Sequence, residues 1–161
     1  MARQPNSFGG GAQTNINGLT FERNMDLLTV IDALPNFHTV NNKIYLKNIL
    51  VAEHFSKYGL YKNYLLLNQI NWQDFISSQL LPDDVLITQK SCYIIEKKFQ
   101  NTGGSVDEKL TTFPFKTQQY QKMFTPLGKQ VHFYYLLSEW FDKPKYLSLI
   151  HISEPTRLLS I

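Results

Sequence analysis

The sequence predicts an α/β domain, a mixed β-sheet flanked by helices. Three observations carry that expectation. Two apolar runs, Val85-Leu86-Ile87 and Cys92-Tyr93-Ile94-Ile95, are separated by a polar break at residues 88–91 and read as paired strands joined by a tight turn. Ser105-Val106-Asp107-Glu108 is a capping box, with Ser at N-cap and Glu at N3, and so begins a helix. Val131, Phe133 and Tyr135 then alternate with His132, Tyr134 and Leu136. Both sets are largely apolar, which predicts a strand covered on both faces inside a mixed sheet.

The remaining elements follow in order. Residues 1–17 are polar and rich in Gly and Asn, and read as a flexible arm ahead of a domain at 18–146. A first helix over 19–34 is expected from the stripe Leu19, Met25, Leu28, Ile31 and Ala33, and Pro35 ends it. Residues 43–46 read as a short strand. Residues 51–58 read as a helix carrying Phe55 inward, and 61–67 and 72–81 also fit helical spacing. Gly103-Gly104 lets the chain turn out of the second paired strand. The helix that follows extends to Phe124, where Pro126 and Gly128 break it; Pro114 kinks or splits it.

Composition bounds the function. The 161 residues are 43% hydrophobic and 14% aromatic, enough for one core and little more. No apolar run is long enough to cross a membrane and no signal peptide opens the chain, so the expected setting is the cytoplasm. Cys92 is the only cysteine, which excludes a disulfide framework and a cysteine zinc site. Gly9-Gly10-Gly11 lacks the spacing of a nucleotide-binding loop. His38, His54 and His132 show no ligand pattern. The net charge of +3 is compatible with a DNA partner without arguing for one.

Charged residues bracket the paired strands. Pro82-Asp83-Asp84 opens the first and Glu96-Lys97-Lys98 closes the second. Strand side chains alternate, so Glu96 and Lys98 share a face, with Gln100 expected on that same face. In a hairpin the start of the first strand lies beside the end of the second. The Asp83 and Asp84 carboxylates are therefore expected to meet Glu96 and Lys98 in one place. Two carboxylates beside a lysine suit a hard divalent cation next to a phosphate.

Pro82-Asp83, twelve intervening residues, and Glu96-Lys97-Lys98 resemble the hallmark of the PD-(D/E)XK nuclease superfamily, and the chain is similar to its type II restriction endonucleases. Gly18-Leu19-Thr20-Phe21-Glu22 resembles the start of that family's first core helix, which carries a further active-site glutamate. Gly104 to Leu110 resembles the segment opening the helix after the motif strand. The likeness covers residues 9–146, and the order helix, strands, helix, strand is that of the family core. It implies Mg²⁺-dependent hydrolysis of double-stranded DNA at a short specific sequence, a homodimer and a cognate DNA methyltransferase. It also implies roles. Asp83 and Glu96 hold the metal, with Asp84 as competitor for Asp83 and the Ile95 or Lys97 carbonyl as an extra oxygen. Lys98 orients the attacking water or steadies the charge at phosphorus, and Glu22 receives a metal-bound water or a second ion. Gln100 touches a DNA phosphate. Insertions before the motif strands often shape the DNA-binding face in such enzymes, which draws in Lys43, Lys47, Lys57, Lys62 and His54.

Two other readings stay open: a DNA-repair or junction-resolving nuclease with the same site, and a non-catalytic DNA-binding fragment. The fragment reading gains from residues 147–157, which match one reading frame of a transposase-type sequencing adapter. Residues 147–161 are therefore expected to be a non-native tail on a domain incomplete at its C-terminus.

Overall fold

The computed structural model describes residues 26–100 and 110–142. The arm at 1–17, Glu22, the capping box at 105–108 and the tail at 147–161 lie outside the described residues. Of the helix expected over 19–34, the described part is α1, Leu27–Asp32. Asp26 caps it, its carboxylate accepting from the Leu28 N–H and the Thr29 hydroxyl. Asp32 ties the helix to the sheet by accepting both the backbone N–H and the hydroxyl of Thr39.

Six strands follow among the described residues: β1 Phe37–Val40, β2 Lys43–Leu46, β3 Ile49–Phe55, β4 Asp84–Ile87, β5 Ser91–Lys98 and β6 Gln130–Leu137. They lie side by side in sequence order in one sheet. The first five are antiparallel neighbours, and β6 pairs with β5 in parallel. A parallel pair needs a crossover, and the one between β5 and β6 contains helix α3, Phe113–Phe124. The architecture is thus a mixed, mostly antiparallel sheet flanked by helices. Two-residue turns join β1 to β2 and β2 to β3. Lys47 and Asn48 at the second turn both have positive φ, 49° and 66°, the backbone that lets a hairpin follow the strand twist.

Three expectations are corrected here. Residues 51–58 are not a helix, because Ile49–Phe55 is strand β3. Its apolar positions satisfy a helical spacing and a strand alternation equally over so short a run, and pairing with β2 and β4 decides for the strand. Phe55 is nevertheless buried, as expected. Residues 72–81 form only a single 3₁₀ turn, Trp72–Asp74. Strand β6 is the last strand of the sheet among the described residues and not an interior one. Its second face is apolar because His132 and Tyr134 both stack on Tyr93 of β5, with ring centroids 5.1 and 6.4 Å apart. That stacking covers aromatic surface without a further strand.

The other elements agree with the reading. After β3 the chain runs through α2, Tyr58–Leu60, then a π turn, Tyr61–Leu65, and a 3₁₀ turn, Leu66–Asn68. Pro114 sits in the first turn of α3, where the missing N–H costs nothing; residue 110 is helical and 111–112 form a turn, so the helix is split just ahead of Pro114, as expected. Tyr120, Met123 and Phe124 of α3 and Leu60, Tyr61 and Leu65 of the helical run pack on Val85, Ile87, Cys92, Ile94, Val131 and Phe133 of the sheet. Burial pushes the Cys92 thiol far up, as suits a core cysteine.

Tyr61 holds the approach to β4. Its hydroxyl donates to the Leu80 carbonyl at 2.7 Å and accepts the Leu80 N–H at 2.8 Å. Tyr120 adds a longer contact to the same carbonyl at 3.4 Å. Replacing Tyr61 with phenylalanine strips the Leu80 N–H of its acceptor. The expected cost is about 1–2 kcal/mol, read as a lowered denaturant midpoint at unchanged slope.

Candidate active site

The β4–β5 hairpin sets the geometry. Its turn is closed by the Thr88 N–H on the Ser91 carbonyl and by the Ser91 N–H on the Thr88 hydroxyl. Lys129 then clamps it from outside through the Thr88 and Gln89 carbonyls. In the resulting register Asp84 lies opposite Ile95 and Val85 opposite Ile94. Directly opposed residues point to the same face. Asp84 therefore projects with Ile95 and Lys97, while Glu96 and Lys98 project to the other side.

The expectation that both aspartates meet Glu96 in one place is thereby corrected. Asp84 leaves the Glu96 face altogether. Its Oδ1 lies 2.7 Å from His54 Nε2 and its Oδ2 lies 2.7 Å from Lys97 Nζ. The Lys97 contact is ionic and not a well-aligned hydrogen bond, so Oδ2 has no hydrogen-bond donor of its own. Burial pushes the Asp84 carboxyl up, but the His54 hydrogen bond and the Lys97 ammonium together outweigh it and hold the group below the ordinary carboxylate value. His54, read from sequence as unpatterned or groove-facing, is part of this buried cluster.

Asp83 belongs to the Glu96 side. Its Oδ2 accepts the backbone N–H of Lys97 at 2.8 Å, and its Oδ1 lies 2.5 Å from Lys57 Nζ. Glu96 is buried at 5% exposure. Its Oε2 takes Lys98 Nζ at 2.7 Å, and its Oε1 takes Lys116 Nζ at 3.3 Å. Lys98 Nζ also reaches the Lys97 carbonyl at 3.3 Å. Tyr120 reports on both carboxylates at once. Burial raises its phenol most, and the charges of Glu96 and Asp83 add to that. Both acids therefore lie near the Tyr120 phenol of α3.

Lys116 was not legible as a site residue in the sequence. It reaches Glu96 from the first half of α3, one helical turn before Tyr120, so both lie on the helix face that covers the sheet. Its ammonium also lies 6.0 Å from the Phe133 ring centroid. Gln100 departs from the expectation. Strand β5 stops at Lys98, so the alternation does not extend to Gln100. Gln100 is only 3% exposed and its backbone N–H and carbonyl bond to the Ser138 hydroxyl. It is packed inside the fold, not offered to a phosphate. Lys43, Lys47 and Lys62 are exposed, as a solvated or DNA-facing residue would be. A groove of about 720 Å³ beside β3 is lined by Asn42, Glu53, His54, Asn63 and Asn68 among others, and Asp83, Glu96 and Lys98 lie outside it.

The donor set suits a hard cation. Asp83 and Glu96 supply carboxylate oxygens, and the Lys97 carbonyl is at the same edge. Mg²⁺ is commonly held by one or two carboxylates with water completing its shell. Among the described residues no group of three His, Cys, Asp or Glu side chains converges as a fuller ligand set. No helix among them is long and apolar enough to cross a membrane. Compared with known proteins, the chain matches no family model and no curated relative.

Proposed function

We propose that this chain is a Mg²⁺-dependent DNA endonuclease of the PD-(D/E)XK type, acting as a type II restriction enzyme on double-stranded DNA. The observation that carries the reading is that Asp83 bonds the Lys97 backbone N–H at the end of β5 that carries Glu96 and Lys98, while Asp84 is turned to His54 and Lys97. The motif needs its acids and lysine together, and the bond from the Lys97 N–H, between Glu96 and Lys98, to Asp83 supports that reading. Further support comes from the order of the core. Three antiparallel strands, β3 to β5, lead through a helix to a parallel strand, as the resemblance implies.

When bound, Mg²⁺ supplies charge neutralisation at phosphorus and a water acidic enough to attack at neutral pH. Asp83 and Glu96 hold it. Lys98, beside Glu96, orients the attacking water toward phosphorus. Lys116 provides a second ammonium from the helix side for a phosphate oxygen. A homodimer matches a palindromic DNA site, and a cognate methyltransferase would protect the host sequence.

The test is incubation of the chain with unmethylated plasmid and phage DNA and Mg²⁺, beside its Lys98→Ala variant. Discrete fragments from the parent are expected, with cleavage reduced on the order of 10²-fold in the variant. Intact DNA from a folded parent sinks the enzyme reading.

A further inference from the structure

We propose that Lys57 is a positioning residue that couples cation loading on Asp83 to phosphate binding. This rests on the nuclease reading above. Lys57 lies between β3 and α2 with φ 47° and ψ −127°. That backbone belongs to glycine, because a Cβ is crowded there. The turn also joins the two halves of the site, since the Lys57 N–H donates to the Pro82 carbonyl at 2.8 Å. Glycine would make the same turn and the same backbone bond without strain. What lysine adds is an ammonium on Asp83 Oδ1, at 2.5 Å.

The oxygen that Lys57 occupies is the one a metal needs. Asp83 Oδ2 accepts the Lys97 N–H, which leaves Oδ1, the oxygen that Lys57 pairs with, as the donor for a cation. A divalent cation taking Oδ1 displaces the ammonium and is repelled by it. The Lys57 side chain is 49% exposed and can follow toward solvent, where a DNA phosphate would approach. A phosphate that receives the displaced ammonium removes the repulsion. Cation and DNA thus favour each other's binding, and by linkage each tightens the other by the same factor. Lys98 and Lys116 do not substitute in this, because both sit on Glu96.

The experiment compares wild type, Lys57→Gly and Lys57→Arg in three measurements. Mn²⁺ affinity without DNA is read by electron paramagnetic resonance. Affinity for a labelled mixed-sequence duplex is read by anisotropy in Ca²⁺ and in EDTA, the ratio giving the coupling. Thermal melting reports the fold. For Lys57→Gly we expect Mn²⁺ binding about fivefold tighter and the Ca²⁺-induced gain in DNA affinity about fivefold smaller, the scale of a half-exposed ion pair. Its melting temperature should be no lower than wild type, and Lys57→Arg should restore most of the coupling. Unchanged or weaker Mn²⁺ binding, an undiminished Ca²⁺ ratio, or a lower melting temperature in Lys57→Gly overturns the role, the last by marking lysine as a structural tether. A wild type that binds no Mn²⁺ defeats the nuclease reading itself and this inference with it.

Discussion

Exchanging Glu96 for glutamine is expected to lower Mg²⁺-dependent DNA cleavage by about 10³-fold, the scale of losing one charge-stabilising group at a transferring phosphoryl centre. Asp83→Asn should do the same, whereas Asp84→Asn should lower the folded fraction and leave the activity of the folded enzyme largely intact. The contrast follows from the different partners of the two aspartates. Asp83 and Glu96 lie near the Tyr120 phenol of α3, where Lys98 and Lys116 approach Glu96, whereas Asp84 pairs with His54 and Lys97. The amides keep the shape of the acids, so the loss measures charge and metal affinity, not packing. Glutamine at 96 leaves the Lys98 and Lys116 ammoniums without their carboxylate. Both side chains are partly exposed, so water can solvate them and the fold should persist. Circular dichroism beside single-turnover cleavage, with Mg²⁺ varied, separates the two effects. Equal activity of Asp83→Asn and wild type would remove Asp83 from the metal site.

The sequence made the hairpin legible because two apolar runs flank a polar break and charged residues close both ends. Which aspartate joins Glu96 was not legible. A shift of one residue in register exchanges the two faces of a strand, and no local signal fixes that register. Lys116 was hidden for a different reason. It meets Glu96 only after the chain has crossed over the sheet, and nothing next to it in sequence marks the contact. Gln100 was misread because alternation was extended past the last strand residue. Residues 51–58 were misread because two periodicities fit the same few apolar side chains. In each case the missing information was tertiary: strand register, the end of a pairing, or the path of a crossover.

The same register makes Asp84 a matter of stability, and here the largest folding effect is expected. Asp84 and Lys97 are 5% and 7% exposed, so each charge depends on the other and on His54. Removing one member of a buried pair leaves the remaining charge uncompensated, at a cost of about 3–5 kcal/mol. Asp84→Ala should therefore unfold at much lower denaturant, while the double change Asp84→Ala with Lys97→Met should recover most of the loss. The acid limb gives an independent check. The folded Asp84 carboxyl is held below its ordinary value of 3.8. A depressed native value means that the unfolded state binds the proton more readily, so folding gains from Asp84 above pH 3.8. That gain is lost as pH falls through the lower native value. Stability of the wild type should decline on acidification below about pH 4, and the double variant should lack this part of the decline. Equal acid profiles for the two proteins would mean that His54 and Lys97 do not hold Asp84 ionised, and that its face of the hairpin is fixed by packing alone.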